Sequence, residues 1–313
     1  MLRKSVLAAV FAAALIAMVA PSHADGERFV FVSHAPDSDS WWNTIKNALK
    51  NAESDLGVTV EYRNPSTGDI ADMARIIQQA TATNPDGIIT TIADFDVLQG
   101  SIKDAIDRGI PVITANSGTA EQSAMLGAAM HVGQPEYDAG FGAGQRAKAA
   151  GVTSFLCVNH YITNPASVER CQGYADALGV DLGNQMLDSG IDPTEVYNKV
   201  KAYLTNNPDT GGLLTLGPNS AEPTLRLLRD TGDTSKYHFI SFDLSGDIAQ
   251  GIKDGVIDSA IDQQPYLQGY LPVVFLTQFA RYGVMPANNI NTGPGFVTTD
   301  NIALVEELAG EYR

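Results

Sequence analysis

Short apolar runs and longer amphipathic stretches alternate along almost the whole chain. The runs fall at Phe29–Val32, Val58–Tyr62, Gly87–Thr91, Ile110–Ala115 and Met125–His131. Between them, Trp41–Leu56, Asp69–Thr83 and Phe95–Arg108 read as helices. From Asp69, apolar side chains recur at Ile70, Met73, Ile76 and Ile77, the spacing of a helix with one buried face. Asn84-Pro85-Asp86-Gly87 then stops that helix with turn chemistry. A second series has strands at Thr153–Val158, Gln185–Asp188, Gly212–Leu216, His238–Phe242 and Val256–Ile261. Its helices read at Pro135–Ala149, Asn164–Leu178, Thr194–Asn206, Ala221–Asp230, Ser245–Lys253 and Gln264–Tyr282. Strands and helices in strict alternation predict an α/β protein of parallel strands with crossover helices on both sheet faces. Each series is long enough for one doubly wound domain, and the chain exceeds the size at which a single core keeps growing.

Residues 1–24 depart from this pattern. Arg3 and Lys4 precede an uncharged apolar run, Val6–Val19, and Ser22-His23-Ala24 supplies small residues for cleavage. The run is shorter than the roughly 20 residues a membrane span needs, so it reads as an export signal cut near Ala24. No cysteine stands there to carry a lipid, and the mature protein is expected to be exported and free. Without Arg3 and Lys4 the 20 basic residues fall to 18 against 36 acidic ones, a net charge of about −18. The basic residues are scattered singly, which excludes a nucleic-acid partner, since such binding needs clustered cations.

The two cysteines, Cys157 and Cys171, lie at the end of an apolar run and inside a helical stretch. In an oxidising compartment a disulfide is the default for such a pair; two buried free thiols are the alternative. His160 alone offers too few neighbouring ligands for a metal. Gly140 to Gly144 resemble a dinucleotide loop, but the spacing fails at Gln145 and no strand runs into the first glycine, so close helix packing is the better account. Neither GxSxG, a P-loop, HExxH nor paired CxxC occurs, and no acid/base pair is recognisable, so no enzyme and no cofactor are expected. Asp37 and Asp39 lack the remaining spacing of a calcium loop. The most distinctive chemistry is Arg28–Trp42, RFVFVSHAPDSDSWW, where the only two tryptophans, Trp41 and Trp42, follow a strand end. Ligands of open α/β sheets bind at that edge, and indole faces suit the C–H face of a polyhydroxylated ring.

The order of FVFVSHAPDSDSWWNTIKNALK, NPDGIITT, RGIPVITANS, NPASVERCQGYADAL, YHFISFDLSGDIAQGIKDGVIDSAIDQQPYLQGY and TGPGFVTTDN resembles the ribose-binding-protein-like periplasmic sugar receptors of ABC importers. The resemblance covers nearly the whole mature chain. It implies two Rossmann-like lobes joined by a three-segment hinge, with residues 25–132 plus 264–292 in one and 133–263 plus 293–313 in the other. It also implies a monomeric, non-catalytic receptor that closes on a neutral monosaccharide or sugar alcohol and delivers it to a membrane permease. Presentation of a sugar or furanosyl signal to a membrane sensor is the alternative. The binding positions carried over are Ser33, Asp39, Trp41 and Trp42 in the first elbow, Thr91 and Asn116 at later strand ends, and Arg170, Asn219, Phe242, Asp243 and Gln263 in the second lobe and hinge. Asn116-Ser117 stands where relatives commonly show Asp-Arg, so the charge pair of ribose binders is absent.

Overall fold

The computed structural model describes residues 26–313; the segment read as an export signal lies outside them. The first series folds as β1 (Arg28–Val32), α1 (Asn43–Leu56), β2 (Thr59–Arg63), α2 (Ile70–Ala82), β3 (Gly87–Thr90), α3 (Phe95–Asp107), β4 (Val112–Ala115), α4 (Ala120–Leu126) and β5 (Met130–Gly133). The second comprises α5 (Glu136–Ala149), β6 (Phe155–Asn159), α6 (Pro165–Leu178), β7 (Met186–Asp188), α7 (Pro193–Asn206), β8 (Gly212–Thr215), α8 (Pro218–Thr231), β9 (His238–Phe242), α9 (Gly246–Lys253) and β10 (Ser259–Asp262). The chain closes with α10 (Pro265–Tyr282), β11 (Ile290–Asn291) and β12 (Gly295–Val297).

The strands form two six-stranded sheets, ordered β11-β5-β4-β3-β1-β2 and β12-β10-β9-β8-β6-β7. All pairings are parallel except β10 with β12. Side chains alternate across a strand, and each sheet buries both faces. In β1, Phe29 and Phe31 join one cluster with Ile45, Leu49 and Leu276, while Val30 and Val32 join another with Met73, Ile77 and Ile102. In β6, Leu156 and Val158 face Val196, Val200 and Leu225, whereas Phe155 and Cys157 face Ala139, Ala143 and Tyr174. Two doubly wound layers result.

The chain passes between the sheets three times: from β5 to α5, from β10 to α10, and from β11 to β12. Helix α10 packs on α1 of the first lobe, although it follows the last long strand of the second.

Helices α5 and α6 touch through glycine. A Cβ added at Gly140 would strike the Arg170 carbonyl, and one at Gly173 would strike the Tyr137 carbonyl. The glycine run is therefore a helix contact rather than a phosphate loop. Cys157 on β6 and Cys171 on α6 are joined by a disulfide, with Cα atoms 5.8 Å apart.

Some elements differ from the sequence pattern. The strand expected at Met125–His131 is the end of α4, a turn and then β5. Thr119 and Gln122 form a capping box that starts α4, and Gly127 ends it in the left-handed region. Ser40–Trp42 form a separate 3-10 turn before α1. Helix α8 begins earlier than expected, with Pro218 in its first turn, where a missing N–H costs nothing.

The bridge spans a sequence separation of 14 residues, for which chain entropy gives a stabilisation of about 3 kcal/mol. The double variant Cys157→Ser/Cys171→Ser is expected to lose about 2–4 kcal/mol in urea unfolding. An unchanged midpoint and slope would remove the bridge from the stability of this lobe.

Candidate functional site

The carboxyl ends of the two sheets face each other across a cleft of about 430 Å³, counting its open mouth. Its walls include Asp39, Trp41, Trp42, Asn116, Arg170, Asn219, Asp243 and Gln263. Ser33, Thr91 and Phe242 are not among the lining residues and stand one layer behind. The Ser33 hydroxyl lies 2.6 Å from the Tyr62 hydroxyl. Thr91 Oγ1 shares a hydrogen bond of 3.0 Å with His34 Nδ1. Phe242 lies under the Arg170 guanidinium at 4.4 Å.

On the first lobe, Asp39 caps the 3-10 turn by accepting from the Trp41 amide at 3.2 Å. That cap sets both indoles against the cleft. Trp42 is buried and meets Trp41, His34 and Phe31 edge to face at 5.1, 5.2 and 6.4 Å, which fixes its ring. Burial raises the Asp39 carboxyl above its ordinary range, against hydrogen bonds from Tyr161, the Trp41 backbone and Asn219.

On the second lobe, Gly217 ends the β8 segment where an added Cβ would sit 3.2 Å from His160 Cε1 and 3.5 Å from Asp243 Oδ2. Glycine therefore keeps this wall open. Arg170 does not reach into the cleft as a free fork. Its Nε and Nη2 donate to Glu136 Oε2 and Oε1 at 2.7 and 2.8 Å, and its Nη1 donates to the Leu216 carbonyl at 3.1 Å.

Several lining residues escaped the sequence reading: His34, Ser117, His160, Tyr161 and Asn164. Two of them tie the lobes together. Tyr161 of the second lobe donates to Asp39 Oδ2 of the first at 3.0 Å. Asn164, which caps α6, donates through Nδ2 to Ser117 Oγ at 2.8 Å. Extending the strand-end rule by two or three residues past the predicted Val158 would have found His160 and Tyr161. Burial lowers His34 to about 4 and His160 to about 3, the latter helped by the charge of Arg170. Both rings are neutral at neutral pH and offer hydrogen bonds without charge.

At the second crossing, Gln263 Nε2 donates to Asp243 Oδ1 at 2.8 Å. Its Oε1 accepts from Asn116 Nδ2 at 3.2 Å and from Gln268 Nε2 at 3.1 Å. Asn116, Asp243 and Gln264 all adopt positive φ, at 61°, 63° and 56°. Non-glycine residues in this region are uncommon and collect at functional sites. Among the described residues no cluster of side chains suits a metal ion.

Two doubly wound lobes, three crossings and a polar, indole-walled cavity between the strand ends define a two-lobed solute receptor. Comparison with known proteins agrees. Residues 29–283 match the family model described as a periplasmic binding protein domain, and the chain belongs to that family. It is 26% identical over 294 residues to the xylose/arabinose-binding protein XylF of Sulfolobus acidocaldarius, covering 88% of this chain and 72% of that protein. The crystal structure of a carbohydrate transporter from Acidothermus cellulolyticus in complex with myo-inositol superposes with a TM-score of 0.84 at 31% identity, covering 91% of this chain and 99% of that one. A periplasmic sugar-binding protein of an ABC transporter from Legionella pneumophila gives 0.78 at 26% identity, covering 85% and 99%.

Burial pushes the Asp243 carboxyl up to about 7, opposed by the nearby Arg170 charge and the Gln263 hydrogen bond. Between its ordinary value and 7 the folded protein keeps this carboxyl protonated while the unfolded chain has ionised it. Folded stability therefore falls as pH rises through that window and stays reduced above it. Asp243→Asn retains an acceptor for Gln263 and removes the penalty. The variant is expected to melt higher than wild type at about pH 8, with the difference closing by about pH 4. A difference independent of pH would show that Asp243 does not titrate in this range.

Proposed function

We propose that this protein is an exported, non-catalytic receptor that captures a neutral monosaccharide or cyclic polyol between its lobes and passes it to an ABC-type membrane permease. The observation that carries this reading is the cleft itself. Two indoles form an apolar wall, while buried Asp39, Asn116, Asp243 and Gln263 and half-buried Asn219 place hydrogen-bonding groups around the same space. A ring with hydroxyls on its rim and C–H groups on its face satisfies both. Buried polar groups left unpaired by the wrong hydroxyl pattern then provide selectivity.

The crossings at 133–135, 263–264 and 292–294 are the hinge of this proposal. The lobes rotate about them, and a ligand touching both walls stabilises the closed form. The Asp39–Tyr161 and Ser117–Asn164 bonds belong to that closed form, since each joins one lobe to the other. The Acidothermus cellulolyticus and Legionella pneumophila relatives are described as transporter proteins, which favours a permease over a sensor as partner. The bound myo-inositol of the Acidothermus cellulolyticus relative and the pentoses in the name of XylF give the first ligands to try.

A ligand that binds only the folded state at a hundred times its Kd adds about 2.7 kcal/mol. Purified mature protein is expected to melt several degrees higher with myo-inositol, xylose or arabinose, and to return the ligand chemically unchanged. Indifference to all neutral sugars and polyols, or conversion of one into product, would end this reading. Asp243→Ala is expected to weaken binding of the best ligand more than tenfold in calorimetry; an unchanged Kd would take Asp243 out of the site.

A further inference from the structure

Arg170 and the titratable carboxyl of Asp243 line one cavity, yet the ion pair the guanidinium makes is with Glu136. Glu136 is the first residue of α5, directly after the crossing from β5, and it is buried. Its Oε2 accepts from Gln134 Nε2 at 2.7 Å as well as from Arg170 Nε. A guanidinium has five N–H donors. Two go to Glu136 and one to the Leu216 carbonyl, so most of the fork is held by protein while the residue still lines the cavity. Phe242 supports the plane from below at 4.4 Å. The hydrogen-bond partner of Asp243 is Gln263, on Oδ1. In a water-poor cavity an unrestrained guanidinium would fall onto the nearest carboxylate, because charge pairs are strong there.

We propose that Glu136 is a positioning residue of the cleft: by gripping the Arg170 fork it holds that charge off Asp243 and leaves the Asp243 carboxyl available to a ligand. This rests on reading the cleft as a binding site. It extends that reading by placing a control point outside the cavity wall, at the start of the second lobe. Because Gln134 lies in the first crossing and Glu136 directly follows it, the position of Arg170 is tied to the hinge.

The charged and titratable groups around Asp243 are Arg170 from α6, Glu136 from α5, Asp262 from β10 with its partner Arg313, and His160 beside Gly217. Removing the grip of Glu136 lets the guanidinium approach Asp243 and favours its ionised form. The test is the carbon-13 carboxyl titration of Asp243 in the protein alone, assigned by the signal lost in Asp243→Asn. The wild-type midpoint is expected near 7. Glu136→Gln is expected to lower it by about one unit or more. Glu136→Asp keeps the charge but withdraws the carboxylate by one methylene, and a fall there too separates geometry from charge. Calorimetry with myo-inositol is expected to show about tenfold weaker binding for Glu136→Gln.

An unmoved midpoint in both variants overturns the proposal, as does a fall in Glu136→Gln with none in Glu136→Asp. If Glu136→Gln does not fold, the titration of Glu136→Asp decides alone. Wild-type protein that binds no polyol ends the functional reading, while the titration still decides the role of Glu136.

Discussion

The cleft joins two lobes through polar side chains removed from water, and each such group must be bonded or cost about 1–3 kcal/mol. Gln263 is where this constraint converges. One amide donates to Asp243 of the second lobe and accepts from Asn116 of the first. Gln268, fully buried on α10, donates to the Gln263 side chain and to Thr292 Oγ1 at the third crossing. It also accepts from Asn116 Nδ2 at 2.9 Å. Two crossings and a strand end of each lobe therefore share one set of hydrogen bonds. The left-handed backbone at Asn116, Asp243 and Gln264 is held by that set. Asn and Asp tolerate the region through their short polar side chains, so Gln264 is the least accommodating of the three. Its side chain donates to the Thr292 carbonyl at 2.6 Å, linking the second and third crossings.

The two-sheet fold was legible because the central strands are buried on both faces and so appear as short runs rich in apolar residues. Where that condition lapses, so does the signal. Strand β11 has two residues and β12 three, too few for any periodicity, and they pair only because the returning chain lies along a sheet edge. The Met125–His131 run misled for the opposite reason. Met125 is exposed, and its apolar character belongs to the last turn of α4 rather than to β5.

Within the cleft, residues just past strand ends were legible and their orientation was not. Ser33 and His34 follow the same strand, but only His34 lines the cavity while Ser33 turns towards Tyr62. Thr91 supports His34 from behind. Arg170 shows the harder limit. Its place on α6 follows from the sequence, yet its partner Glu136 lies 34 residues earlier on another helix. The close glycine contact of α5 with α6 brings that carboxylate onto the guanidinium fork, so packing decides what the arginine can offer.

Charge inside the cleft contrasts with charge outside. The chain carries a strongly acidic excess, a balance that favours solubility. Inside, burial acts on every ionisable group in the direction of neutrality: it raises Asp39 and Asp243 and lowers His34 and His160. The charge that survives deep burial, on Arg170, is offset by Glu136 at hydrogen-bond distance. An anionic ligand entering such a site would lose its hydration and find the Arg170 charge already paired with Glu136. An uncharged polyol trades each water for one oriented donor or acceptor, and the indoles cover what remains. On the reading proposed here, the same burial that leaves Asp243 a liability to stability is what makes the cleft selective for uncharged rings.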